Sequence, residues 1–281
     1  MARRVFIVTG GNKGIGFETA KKICKELKNE DATVVITSRS PENGAQAVAK
    51  LAGEGLKVEM VQLDIAHKLS REMFVETIRN KYGQVECLVN NAGFAFKNDA
   101  TEPVGVQARM TCGINYYGTR DLTKAMTSLF TSGSRIVNVA SMAGQRALTQ
   151  MTPERRHRLM SKSATLEDID SVVEEYLADC ATGRMDGWPS TTYGFSKAAV
   201  IAMTAALARM SDKCPALKDR EGMVVTCCCP GWCKTDMAGW EAPPLSAADG
   251  AEIVGSLALG ATKEHHGKFI QKEEVHDLRE D

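Results

Sequence analysis

The chain has 281 residues, 43% apolar and 25% charged, which is enough for a large core in the proportions of an ordinary water-soluble protein. Lys plus Arg and Asp plus Glu both number 35, so the formal net charge is zero, and neither nucleic acid nor an anionic membrane surface is an expected partner. No apolar run reaches the roughly 18 residues of a membrane span. Strand-like residues from Val5 leave no room for a leader, and nine cysteines without framework spacing fit reduced thiols; the expected location is cytoplasmic.

In chain order, strands are expected at Arg4–Thr9, Thr33–Thr37, Val58–Leu63, Cys87–Val89, Arg135–Val139, Met223–Cys228 and Lys268–Ile270. Most are continuous apolar runs, as in strands covered on both faces. Helical patterns lie between them at Ile15–Leu27, Glu42–Ala52, Ser70–Tyr82, Gly113–Phe130, Thr192–Ser211 and Ala247–Gly260. This alternation predicts an α/β fold, a Rossmann-like doubly wound parallel sheet of about seven strands with helices on both faces. One interval breaks the rhythm. Between Val139 and Thr192, Pro153–Met160 and Leu166–Ala181 read as two charged amphipathic helices, the second opened by a capping signature at Ser163 or Thr165 with Glu167 and Asp168. Residues 147–188 are therefore expected to be a helical insertion within a single domain spanning 1–281. The charged tail "KEEVHDLRED" is expected to be partly mobile.

The first strand runs into "TGGNKGIG", Thr9 to Gly16, and then a helix, the setting of a phosphate-binding turn. Gly10 would permit the turn, Gly14 the approach of a pyrophosphate, and Gly16 close packing of helix on sheet. The helix N-terminus would offer free N–H groups to the phosphates. The second strand, "VVITSRS", ends without the acid that would hold a ribose 2′-hydroxyl; Arg39 follows instead, with Lys13 in the glycine loop. Both cations suit a 2′-phosphate, so NADP(H) is expected rather than NAD(H).

In "TTYGFSK", Tyr193 and Lys197 share a helix face one turn apart. A free tyrosine has a pKa of about 10, and a nearby ammonium would lower it, suiting the phenol to proton exchange with a carbonyl oxygen. Ser141 follows the strand "RIVNVAS" at the sheet edge where ligands gather, and its hydroxyl could hold the substrate oxygen.

Together "TGGNKGIG", "NNAG" (Asn90–Gly93), "NYYG" (Asn115–Gly118), Ser141, Tyr193 with Lys197, and "PGW" (Pro230–Trp232) resemble the ordered motifs of the short-chain dehydrogenase/reductases over nearly the whole chain. The resemblance implies that Ser141 orients a carbonyl, Tyr193 is the acid, Lys197 binds the nicotinamide ribose, and Asn115 holds a water that passes protons to Lys197. It implies that Asp64 accepts from the adenine amino group and that Asn91, Ala92 and Gly93 line the adenine-ribose side. Asn12, Ile15, Ile65, Pro230, Gly231, Trp232 and Thr235 would also touch the cofactor, and Met142, Trp232 and Met237 would face the substrate.

The stretch "TCCCPGWC" raises the question of metal. Strand alternation sends Cys227 and Cys229 to one face and Cys228 to the other, so they cannot converge on one ion, and no metal is expected; core filling explains most of the cluster. In the family that the chain resembles, the loop after this strand covers the nicotinamide, which implies that Cys229, at the strand end, lies near the pocket mouth as a thiol open to electrophiles. "CCPGWCKTDMAGW" and the wide separation of Ser141 from Tyr193 resemble the monomeric carbonyl reductases, whose substrates include some glutathione adducts. That resemblance implies NADPH-dependent reduction of ketones, aldehydes or quinones, and a monomer whose insertion covers the usual pairing surface. Plant reductases of single alkaloid or terpenoid ketones share the insertion, with Trp240 and 239–245 then defining a tight pocket. A non-catalytic NADP-binding scaffold is the remaining reading.

Overall fold

The apolar runs form one sheet. The computed structural model describes residues 3–97, 99–213, 222–272 and 274–281. Its strands are β1 (Arg4–Val8), β2 (Ala32–Ser38), β3 (Val58–Gln62), β4 (Val85–Asn90), β5 (Phe130–Val139), β6 (Val224–Cys229), β7 (Phe269–Gln271) and β8 (Glu274–His276), in the order β3-β2-β1-β4-β5-β6-β7-β8. The pairings are parallel except the last, β7 with β8. Strand order reverses between β1 and β4, which opens a crevice at their C-terminal ends.

The helices are α1 (Gly14–Glu26), α2 (Pro41–Gly53), α3 (Lys68–Tyr82), α4 (Val104–Cys112), α5 (Thr119–Ala125), α6 (Met142–Gln150), α7 (Pro153–Met160), α8 (Leu166–Thr182), α9 (Thr192–Lys213) and α10 (Ala247–Gly260). Alternate strand residues feed two cores. Phe6, Val8, Ile36, Val89, Val137 and Cys228 pack with Ala20 and Ile23 of α1, Leu51 of α2 and Val254 of α10. Ile7, Val35, Leu88, Ile136, Val225 and Cys227 pack under α3, α4, α8 and α9. α9 is buried along most of its length because sheet and insertion sandwich it.

The doubly wound sheet is the one expected: among the described residues it has eight strands, a short charged hairpin adding β8, too brief to show an alternation, to the seven read from the sequence. Three expectations need correction. The single helix expected over 113–130 is instead a π-helical turn (Gly113–Gly118), α5 and a 3₁₀ turn (Thr127–Leu129), with Phe130 already in β5. Periodicity hides the change, since a π turn adds one residue without interrupting the apolar pattern. α4 and α6 were not foreseen. Finally, the tail, whose Glu273 lies outside the described residues, is tied down: β8 pairs with β7, the Glu280 N–H donates to the Met160 carbonyl at 2.9 Å, and the Lys162 N–H donates to the Glu280 carbonyl at 2.9 Å.

Candidate active site

The glycine loop is stitched to the end of β4. Thr9 Oγ1 accepts from the N–H groups of Asn91 (3.0 Å) and Ala92 (2.9 Å), and Asn91 Nδ2 donates to the carbonyls of Thr9 (2.9 Å) and Gly10 (3.2 Å). Asn91 thus braces the loop with its side chain. Gly10 and Gly14 have φ of 62° and 56°, and a Cβ on Gly16 would fall 2.3 Å from Asn91 Nδ2, so the loop requires glycine at these points. α1 starts at Gly14 with Lys13 at its N-cap and no side-chain cap, leaving its first N–H groups for an anion. Asn12 and Ile15 are part-buried beside it.

Arg39 stands exposed at the end of β2, its carbonyl accepting from Gln62 Nε2 at 3.1 Å. Lys13 Nζ instead reaches across the loop to Asp236, 2.7 Å away. Asp64 Oδ1 accepts the Ala66 N–H at 3.1 Å, and Ile65 is buried. The glycines, the uncapped helix end and two cations beside an acid-free β2 end fit a phosphorylated dinucleotide.

The second half of the site is set by two helix starts. Thr191 Oγ1 accepts the Gly194 N–H at 3.1 Å and so turns the chain into α9, which carries Tyr193 and Lys197. Ser141 is the N-cap of α6: its Oγ accepts the Ala143 N–H at 3.1 Å. Lys197 Nζ is buried, donates to the Val139 carbonyl at 2.6 Å and lies 5.8 Å from the centre of the Tyr193 ring. Gly93 is placed at this end of the cleft, its Cβ position 3.3 Å from Asn115 Oδ1 and 3.7 Å from Lys197 Nζ. Asn115 sits in the π turn. Its Oδ1 accepts the Phe94 N–H at 2.7 Å, and its Nδ2 donates to the Phe94 carbonyl and to Ser196 Oγ, each at 2.9 Å. Ser196 Oγ in turn donates to the Tyr193 carbonyl at 2.8 Å.

The electrostatics correct one expectation. Burial pushes the Tyr193 phenol up to about 12, against the opposing pull of its bond to Ser141. Burial also lowers the Lys197 ammonium to about 8. Desolvation is the largest cause of both shifts, so near neutrality the Tyr193 phenol holds its proton.

The segment after β6 folds back over the glycine loop, with Thr235 Cγ2 3.3 Å from the Cβ position of Gly14. It is held by paired bonds between Thr235 and Gly239 (3.2 and 2.8 Å) and by Lys97 Nζ, which donates to the Met237 carbonyl at 3.1 Å. Pro230 is part-buried and Gly231 exposed. Trp232, Met237 and Trp240 are 54%, 38% and 63% exposed, an open apolar rim rather than a closed wall.

Cys229 is 7% exposed and its Sγ accepts the Gly231 N–H at 3.4 Å, so the thiol expected at the pocket mouth is buried under the turn. Cys227 and Cys229 join one core and Cys228 the other, as strand alternation requires. Burial raises the Cys227 and Cys233 thiols to about 12 and about 11. Among the described residues no cluster could hold a metal ion, and no helix is long and apolar enough to cross a membrane.

Three neighbours of the site were not foreseen: Phe94 and Phe96, packed edge to face with ring centres 4.9 Å apart, and Gln271, whose Nε2 lies 3.0 Å from Met142 Sδ. The first pair carried a signal, two aromatics just after "NNAG"; Gln271 carried none.

The fold and site define a Rossmann-type domain with a dinucleotide cradle opening onto a Ser-Tyr-Lys cluster. The short chain dehydrogenase family model matches residues 4–153. Carbonyl reductase (NADPH) 1 of Mus musculus is 36% identical over 280 residues, 98% of each chain, and the Homo sapiens protein of that name is 35% identical over 96% of this chain and 97% of its own. Among solved structures, salutaridine reductase from Papaver somniferum superposes with a TM-score of 0.80 at 31% identity, covering 95% of this chain and 99% of its own. Menthone neomenthol reductase from Mentha piperita gives 0.78 at 27% identity, covering 98% and 100%. The chain belongs to the short-chain dehydrogenase family.

Proposed function

We propose that the protein is an NADPH-dependent carbonyl reductase acting on small ketones, aldehydes or quinones. The observation that carries the reading is the gathering of Ser141, Tyr193 and buried Lys197 at the strand ends onto which the glycine loop opens, with Lys197 Nζ fixed to the Val139 carbonyl at 2.6 Å and 5.8 Å from the centre of the Tyr193 ring. Bound NADPH supplies the hydride. Ser141, fixed by its capping bond, orients the carbonyl oxygen. Tyr193 donates its Oη proton to that oxygen as charge develops there. Lys197 holds the cofactor ribose, and Asn115, anchored to Phe94 and Ser196, keeps the back of the site in register. Lys13 and Arg39 receive the 2′-phosphate, Lys13 exchanging its surface pair with Asp236 for it. Relatives named for NADPH and for carbonyl reduction support this reading; so do the plant reductases among the structural neighbours, which favour a single specialised ketone as the second reading.

The test is the fall in absorbance at 340 nm with a quinone, an aromatic aldehyde and a panel of cyclic ketones, using NADPH and NADH in parallel. Turnover with NADPH at about ten times or more the NADH efficiency is expected, and Arg39→Ala with Lys13→Ala should narrow that ratio. Breadth across the panel supports the general reductase. One preferred ketone supports the specialist, and cofactor binding with no turnover anywhere rejects both.

The lowered Lys197 sets the pH response. Its ammonium, needed to hold the ribose, is complete below about 8 and lost above it, whereas Tyr193 keeps its proton to about 12. In the profile of kcat/KM for NADPH, which reports the free enzyme, the basic limb should therefore fall near pH 8. A profile flat to pH 10 would contradict the assignment of that limb to Lys197.

A further inference from the structure

The π turn that carries Asn115 is gripped by the insertion. Tyr116, next to Asn115 and fully buried, donates its hydroxyl proton to Asp170 Oδ1 at 2.6 Å, and Asp170 belongs to α8. Arg120 also pairs with Asp170, and it donates from Nε and Nη2 to Asp121 at 2.9 and 2.7 Å. Arg71 closes the set, donating to Asp121 at 2.9 Å and to the carbonyl of Ile65 at 2.8 Å. Two guanidinium groups thus balance two carboxylates. The Arg120 guanidinium lies 4.8 Å from the centre of the Tyr117 ring, so it also covers the outer side of the turn.

Six residues further along α8, Tyr176 stacks on Phe195 with ring centres 3.7 Å apart, and Phe195 lies between Tyr193 and Lys197. Trp188 meets both rings edge-on. One helix therefore touches both parts of the site, the π turn through Asp170 and α9 through Tyr176. A π turn is a rare, one-residue excess within a helix, and here side chains from α8 pack against it.

We propose that Asp170 is a positioning residue, which holds the π turn through Tyr116 and Arg120 so that Asn115 keeps its bond to Ser196 on the Tyr193-Lys197 helix. The inference rests on the reductase reading for its effect on rate, but not for its effect on the turn. Asp170 touches no reacting atom. What it supplies is registry between two elements that the sheet alone does not fix.

The experiment uses the full chain with Asp170→Asn, Tyr116→Phe, the double variant and Asp170→Glu. Three readings are taken: kcat and KM with NADPH, the thermal midpoint, and hydrogen–deuterium exchange of the peptide spanning 113–118 in the free protein. Asp170→Asn and Tyr116→Phe should each lower kcat by about tenfold, leave KM for NADPH within about twofold, and speed exchange across the turn. The double variant should lose no more than Asp170→Asn alone, because the Tyr116 bond is already lost with the Asp170 carboxylate. Asp170→Glu should recover part of kcat. A lowered midpoint with kcat unchanged would overturn the proposal by making Asp170 a structural brace alone. If the unaltered protein turns over no carbonyl, the reductase reading fails; exchange then decides, and unchanged protection of 113–118 in Asp170→Asn overturns the grip itself.

Discussion

Tyr193→Phe should reduce turnover about a thousandfold while leaving NADPH binding, followed by quenching of protein fluorescence, within about twofold. The change deletes one oxygen. Ser141 still caps α6 through the Ala143 N–H, so the local fold keeps its anchor and stability should move by about 1 kcal/mol or less. Lys197 retains its bond to the Val139 carbonyl and with it the charge that holds the ribose. Binding and chemistry therefore separate at this residue. They would not separate at Ser141, where Ser141→Ala removes both the oxyanion contact and the cap. A Tyr193→Phe enzyme retaining a tenth or more of normal kcat would take the acid role away from this phenol.

The largest loss of stability is expected at Gly144→Val. A Cβ at Gly144 would lie 2.6 Å from the carbonyl carbon of Lys197 and 2.8 Å from the Ala198 nitrogen, backbone atoms in the second turn of α9. Side chains can swing aside; these atoms cannot without bending a helix buried on nearly every face. The cost should reach about 3 kcal/mol, read as a lower urea midpoint at unchanged slope. Activity should fall further than the folded fraction, because α6 begins at Ser141 and α9 carries Tyr193. Forcing the helices apart moves Ser141 and Tyr193 out of register. Gly144→Ala should act in the same direction with a smaller effect. A valine variant with a native midpoint and native kcat would mean that the α6–α9 approach is looser than drawn.

What the sequence disclosed and what it withheld divide along a physical line. The parallel sheet, the glycine loop and the Tyr193-Lys197 pair were legible because each is written in local spacing: apolar runs, glycines at a strand-to-helix turn, two residues one helical turn apart. The alternation of Cys227, Cys228 and Cys229 between two cores followed from strand geometry in the same way. The π turn was hidden because its extra residue leaves the apolar period intact. The pull of burial on Tyr193 and Lys197 was hidden because it depends on how much water the insertion excludes. Lys13 with Asp236 and Tyr116 with Asp170 were out of reach for a third reason. Each joins distant segments, and no residue type announces its partner.

The pairing of the insertion with the tail has a consequence for the order in which the molecule is made. Arg156 meets Glu280 across 124 positions, Lys162 meets Asp281 across 119, and the backbone of Ser161 pairs with that of Glu280. The exposed charges add little to stability, but the backbone bonds at Met160 and Lys162 have these tail residues as their partners. During synthesis at about 5–20 residues per second, the turn between α7 and α8 therefore leaves the ribosome several seconds before the segment that closes it. Until then the face of the insertion is open, and the nascent chain is exposed to proteases and chaperones there.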